Sequence, residues 1–318
     1  MDDTTGEPDG RLRQGSADRD GGDTAVVEAT ATFIAHGNLL FTVAYEMLGS
    51  AADADDVLQE TWLRWVNVDA AQVVHPRAYL VRITTRQALN RLRSVQRRRE
   101  AYFGAWLPEP LLTAPDVAAD IELAESVSMG LMLVLETLTP TERAVFVLRE
   151  AFGFGYDEIA VAVDKSPRAV YQIAHRARRH VEARRPRRTV TPRQAEAAVA
   201  AFRRALETRD LQGLLDVLAP DVVAISDGGG VKQATPRPIM GADKVARFMV
   251  GGLTKRDVAL TVEVTAVNGG PALALYVDAE LDGVLAMHVD DTRITGLYYV
   301  RNPQKLTYID SEIPLTLR

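Results

Sequence analysis

The residues best suited to chemistry lie between Tyr156 and Arg179, in YDEIAVAVDKSPRAVYQIAHRARR. Arg168, Tyr171, Gln172, His175, Arg176 and Arg179 fall on faces that Ala169, Val170, Ile173 and Ala177 leave open at helical spacing. Arginine pairs with phosphate oxygens or with the major-groove edge of guanine, and glutamine pairs with adenine. This is recognition of a polyanion, with no bond made or broken. The break that precedes it has the parts of a tight turn between two helices. Ser166 can cap the second helix and Pro167 fits its first turn. Asp164 stands where glycine often does, and it tolerates a left-handed backbone. The pattern is that of a helix-turn-helix, whose second helix fits a major groove.

Two further stretches carry related chemistry. In GSAADADDVLQETWLRWV, Asp55, Asp56, Gln59 and Glu60 make an acidic-polar edge, while Val57, Leu58, Trp62 and Leu63 supply apolar bulk. In YLVRITTRQALNRLRSVQRRR, Thr84, Thr85, Gln87 and Asn90 sit among arginines that include Arg86 and Arg93. Their side chains can bond base edges while the arginines hold phosphates. Tyr79 and Trp65 are nearby aromatics and read as core. The net charge of the 318 residues is -6, yet seven arginines and no acid fall between Arg82 and Arg99, and seven arginines with one acid between Ala174 and Arg188. A phosphate backbone responds to such local clusters.

The elements that must position these groups are mostly helical. Residues 1–23 are polar and read as a disordered tail, without the apolar core of a signal peptide. NLLFTVAYEML ends at Gly49, Ser50 or Asp53 can cap the next helix, and a third, longer helix starts near Pro76. WLPEPLLTAP, with three prolines in ten residues, is a linker within 101–120. Helices resume at Ile121, with one expected to Leu138 and another from Thr141 to about Ala151. After a second linker (187–192) come two helices, a strand ending in a glycine run, a short helix and four strand-like runs. Asn-Gly, Asp-Gly and Asp-Asp turns bound those runs and predict hairpins. The spans are thus a helical domain (24–100), a second helical domain (121–186), an α+β domain with an antiparallel sheet (193–306) and a C-terminal tail (307–318). There is no cysteine, so thiolate metal sites and cysteine nucleophiles are excluded. No run approaches the ~20 apolar residues of a membrane span, and a cytoplasmic protein is expected. No metal or cofactor is implied.

In this order, the three stretches resemble bacterial sigma factors of the extracytoplasmic-function group, over about residues 25–186. WLPEPL, DGGG at 227–230 and NPQKL at 302–306 resemble the SigJ-type subgroup, with Gln304 where Asp is more usual. The resemblance implies two all-α domains, sigma-2 and a sigma-4 helix-turn-helix, followed by an NTF2-like, SnoaL-like cone. It implies core RNA polymerase and promoter DNA as partners. Asp55, Asp56, Gln59 and Glu60 would face polymerase. Arg86, Asn90 and Arg93 would serve the -10 element, and Arg168, Tyr171, Gln172, His175, Arg176 and Arg179 the -35 element. Trp106, Leu107, Pro108, Asp227, Gly228, Gly229, Gly230, Asn302, Pro303, Lys305 and Leu306 would mediate contact between the cone and the helical domains.

For the third domain three roles stand open. It can modulate the helical domains by packing on them. It can sense a small molecule in its cone. It can keep SnoaL-type acid-base catalysis, for which Asp227, Asp278 and His288 are the plausible group. Regulation ranks first and catalysis last, with no catalytic residue assigned. Asp227 can bond the WLPEP linker, and Lys232 and Arg301 can pair with acids elsewhere.

Overall fold

The computed structural model describes residues 17–317 apart from 70–71, 100–101, 103, 115–119, 185–190 and 255–258. Parts of both expected linkers therefore lie outside the described residues. Helices α1 (Ala17–Leu48), α2 (Ala51–Trp65) and α3 (Pro76–Arg99) pack on one another. The start of α1 corrects the expected tail to residue 23: no proline interrupts the helix there, and residues 1–16 are outside the described part. Val26–Leu48, with 23 residues and mean hydropathy 1.3, is long and apolar enough to cross a membrane by length and composition, which the sequence reading missed. In this fold its second half is core. Leu39, Leu40, Val43, Ala44, Met47 and Leu48 are at most 1% exposed. Ser50 caps α2 by accepting the amide of Asp53 at 3.1 Å.

A second group follows: α4 (Ile121–Ser126), α5 (Met129–Leu135), α6 (Pro140–Phe146) with a π turn over Val147–Ala151, α7 (Tyr156–Val163) and α8 (Pro167–Glu182). The single helix expected over 121–138 is two short ones, because Ser128 leaves the helical path to cap the amide of Leu131. Between α7 and α8, Asp164 is left-handed (φ 55°, ψ 56°). Ser166 accepts the amide of Ala169, and Pro167 opens α8. Buried side chains of both helical groups merge into one continuous core.

The C-terminal domain contains α9 (Pro192–Glu207), α10 (Leu211–Val217), β1 (Leu218–Asp227), β2 (Ile239–Met240), α11 (Ala242–Thr254), β3 (Leu260–Val267), β4 (Gly270–Val277), β5 (Glu280–Asp290) and β6 (Arg293–Val300). The sheet order is β2-β1-β6-β5-β4-β3. β3 to β6 form an antiparallel meander, but β6 lies parallel to β1. The sheet is therefore mixed, not antiparallel throughout. β1 and β6 are joined by a long crossover, which permits parallel pairing where a hairpin would not. The Asp-Gly turn is also corrected. The chain reverses at Asp278-Ala279 (φ 51° and 66°), and Asp282-Gly283 lies inside β5. A Cβ at Gly283 would approach the Val300 carbonyl oxygen to 2.4 Å, so glycine serves close strand contact there. Helices α9, α10 and α11 share a separate apolar core with the sheet.

The segment after Leu306 is not a free tail. It runs back over the helical core, where Leu315 is 7% exposed and Tyr308, Ile313 and Leu317 are half-buried. The amide of Ile313 donates to Leu112, and that of Thr316 to the Thr42 hydroxyl.

Candidate nucleic-acid interface

Helix α8 buries Val170, Ala174, Ala177 and Val181. Every residue proposed from its spacing to read DNA is exposed: Arg168, Tyr171, Gln172, His175, Arg176 and Arg179. The Tyr171 ring meets Tyr156 edge-on at 5.4 Å, which ties the face to α7. Arg178 bonds Glu150 at 2.6 Å and belongs to the scaffold. The Arg176 side chain is 63% exposed and 3.8 Å from Glu142. The C-terminal domain thus leaves this face open.

The α2–α3 face is different. Asp56, Gln59 and Glu60 are exposed along α2, but the half-buried Asp55 accepts the Tyr308 hydroxyl at 2.7 Å. Arg91 bridges α3 to α2 through Asp53 at 2.7 Å and through Asp56. On α3, Arg86, Asn90 and Arg93 are exposed. Arg86 donates to the Val161 carbonyl of α7 at 2.8 Å, so α3 is tied to the helix-turn-helix itself. Thr84, Thr85 and Gln87 correct the sequence reading. All three are buried; Gln87 donates to Glu60 at 3.0 Å and Thr84 lies 3.4 Å from Thr61. Helix packing turns this row inward, away from any base. Trp65 is fully buried against Tyr79, as core.

The linker and the C-terminal domain meet at Asp227, which is fully buried at the end of β1. It accepts the Leu107 amide at 2.9 Å, the Tyr102 hydroxyl at 2.7 Å and the Lys305 ammonium at 2.8 Å. Lys305 also donates to the Leu107 carbonyl at 2.6 Å and lies 4.1 Å from the centre of the Trp106 ring. Asn302 donates to Tyr102 at 2.9 Å. Gly229, left-handed at φ 62°, leaves no room for a Cβ against Asn302. The glycine run thus closes a turn of its own domain, and the contact with the linker is made by Asp227. Pro303 and Gln304 are exposed. Lys232 and Arg301 both pair with Asp282, at 3.4 and 2.8 Å.

Several joining residues were missed. Glu109 lies between two linker prolines and accepts the Ala51 amide (2.7 Å) and the Ser50 hydroxyl (2.8 Å) at the N-terminus of α2. Its carboxyl is raised above the usual range by burial, a shift these bonds oppose. Asn268, read only as half of an Asn-Gly turn, sits at the β3–β4 tip. Its amide group donates to the Tyr45 hydroxyl of α1 (2.6 Å) and the Val127 carbonyl after α4 (2.9 Å), and accepts the linker amide of Leu111 (3.0 Å). Glu46 of α1 is buried, accepts the Ser126 hydroxyl at 2.7 Å, and is pushed up to about 7 by burial. A lone acid between prolines and the alternation Ile313, Leu315, Leu317 were the available signals; Glu46 had none. Asp227, Asp278 and His288 do not converge. Asp227 pairs with Val300 and His288 with Gly296, four residues along β6, or about 13 Å. Asp278 accepts an amide at the β4–β5 turn.

An open cationic helix-turn-helix joined to an acidic and a basic helix defines a DNA-binding protein. Residues 32–99 match Sigma-70 region 2 and residues 128–181 match Sigma-70, region 4. Over 284 residues the chain is 36% identical to the ECF RNA polymerase sigma factor SigJ of Mycobacterium tuberculosis, covering 84% of this chain and 90% of that protein. It is 30% identical over 287 residues to a probable ECF RNA polymerase sigma factor, SigI, of the same species, covering 89% and 97%. The crystal structure of M. tuberculosis SigJ aligns with a TM-score of 0.71 at 31% identity, covering 88% of this chain and 98% of that one. The chain belongs to the ECF RNA polymerase sigma factors. It is an alternative sigma factor that directs promoter recognition.

Proposed function

We propose that this sigma factor reads the -35 element through the exposed face of α8 and the -10 element through Arg86, Asn90 and Arg93 of α3. Opening a duplex costs unstacking energy, which capture of an extruded base near Asn90 would offset. Asp55, Asp56, Gln59 and Glu60 dock on core polymerase. The C-terminal domain modulates this activity by holding regions 2 and 4 together. The observation that carries this reading is Asn268, which bonds region 2, the linker and the residue that leads into region 4 at once. Docking on polymerase and DNA requires Asp55 to release Tyr308, and Arg86 to release Val161. The closed form is then the inactive member of a two-state equilibrium. Run-off transcription with purified core enzyme, comparing the full chain with one ending at Thr189, is the test. Different output is expected from the two. Identical output rejects modulation, and no product with no polymerase binding rejects the whole reading.

A further inference from the structure

The C-terminal domain encloses a cavity of about 400 Å³ between α9, α11 and the sheet, within the range of small-molecule sites. One side is apolar, formed by Leu206, Met249, Leu260 and Leu275. The polar lining residues include Ser226, Thr235, Tyr299, Arg301 and Asp282. Charge is unequal around them. Arg301 and, behind it, Lys232 converge on the single carboxylate of Asp282, at 2.8 and 3.4 Å. The Lys232 ammonium rests on the carbonyls of Leu281 and Asp282, at 3.2 and 3.0 Å. Arg247 also lines the cavity, but Asp243 balances it at 2.9 Å. Among the described residues of this cluster, two cations thus share one carboxylate, with Arg301 lining the cavity and Lys232 outside its lining.

A partner that suits both halves has an apolar body and one negative charge, since a buried charge is stabilised by an opposite one and a neutral head forgoes that gain. We propose that the cavity is a binding site for an apolar monocarboxylic acid, with its body over Leu206, Met249 and Leu275 and its carboxylate toward Arg301. The site adjoins the interdomain contact. Successive strand residues face opposite sides. Ser226 and Arg301 face the cavity, while their neighbours Asp227 and Asn302 bond Tyr102 beside the linker. A ligand that shifts Arg301 bears on the strand end that holds the linker. That consequence for transcription rests on the modulation proposed above; the site itself does not.

The test is calorimetric titration of the full-length protein with decanoate and with decan-1-ol as its neutral counterpart. One equivalent of decanoate is expected to bind, with the alcohol about tenfold weaker or worse. A photoreactive analogue of decanoate should label peptides from α11 and β4. Leu275→Trp, which fills the cavity, should abolish both signals while the thermal melt stays cooperative. Absence of decanoate binding to the wild type, equal affinity for the alcohol, or labelling outside α9, the β1–β2 loop, α11 and the sheet overturns the proposal. No polymerase or promoter enters these measurements, so their failure leaves promoter recognition untouched. A chain that binds decanoate but starts no transcript contradicts only the promoter reading.

Discussion

The two recognition surfaces of this chain are held in opposite states. On α8 the six residues proposed to read DNA are exposed, with Tyr171 against Tyr156 and Arg176 near Glu142, and Arg178 is held by Glu150. On α2 and α3 the corresponding groups have internal partners, with Asp55 under Tyr308 and Arg86 on Val161. The difference teaches where control can act. On the assignment proposed above, holding α8 is unnecessary if the α2–α3 surface is engaged, because a sigma factor needs both. The C-terminal domain follows that logic. Its contacts fall on α1, α2, the linker and the α4–α5 junction, and leave the face of α8 alone.

The largest expected effect comes from the buried ion pair that joins the C-terminal domain to the linker. Asp227→Ala leaves the buried Lys305 ammonium without its carboxylate, and should cost about 3–5 kcal/mol in chemical denaturation. Affinity for a -35 duplex should not change, and a parallel loss there would erase the contrast between the two surfaces. Next is Glu46. Its carboxyl is raised by burial from 4.5 to about 7, so the native state holds a proton that the unfolded state releases. Stability from this group is complete below about pH 4.5 and is lost as pH rises through about 7, a total of about 3 kcal/mol. Arg143, whose Nε donates to the Glu46 carbonyl at 2.9 Å, and Glu136, paired with Arg143, are the nearby charged groups. Thermal melts from pH 5 to 8 should flatten in Glu46→Gln.

A smaller effect separates readers from scaffold on α8. Arg179→Ala should weaken -35 binding by about 1–3 kcal/mol if it pairs a base edge. Arg178→Ala should cost under about 1 kcal/mol, through its half-exposed pair with Glu150. Electrophoretic shifts with a single duplex check both, and the reverse order would misassign the face. The smallest effect is Tyr308→Phe. Losing one hydrogen bond to Asp55 frees that carboxylate and should tighten core polymerase binding about fivefold.

The helix-turn-helix was legible to the residue, because Asp164, Ser166 and Pro167 are local signals that act through their own backbone. Five of the six strands were legible for the same reason; the two-residue β2 was missed, and one turn was misplaced where glycine answers a cross-strand contact at Val300. The inward row Thr84, Thr85 and Gln87 was misread, since polarity alone does not say which face a neighbouring helix covers. Asn268 and Tyr308 were invisible because each acts on partners 50 or more residues away. Local patterning carries no trace of such distant partners.

The central claim is that the C-terminal segment must leave region 2 before polymerase can dock. The chain has no cysteine, and the Thr42 hydroxyl lies 3.1 Å from the Thr316 amide. A Thr42→Cys, Thr316→Cys double variant therefore allows one reversible staple on a clean background. Run-off transcription from the oxidised protein should be absent and should return on reduction. Equal product from both forms would contradict the account.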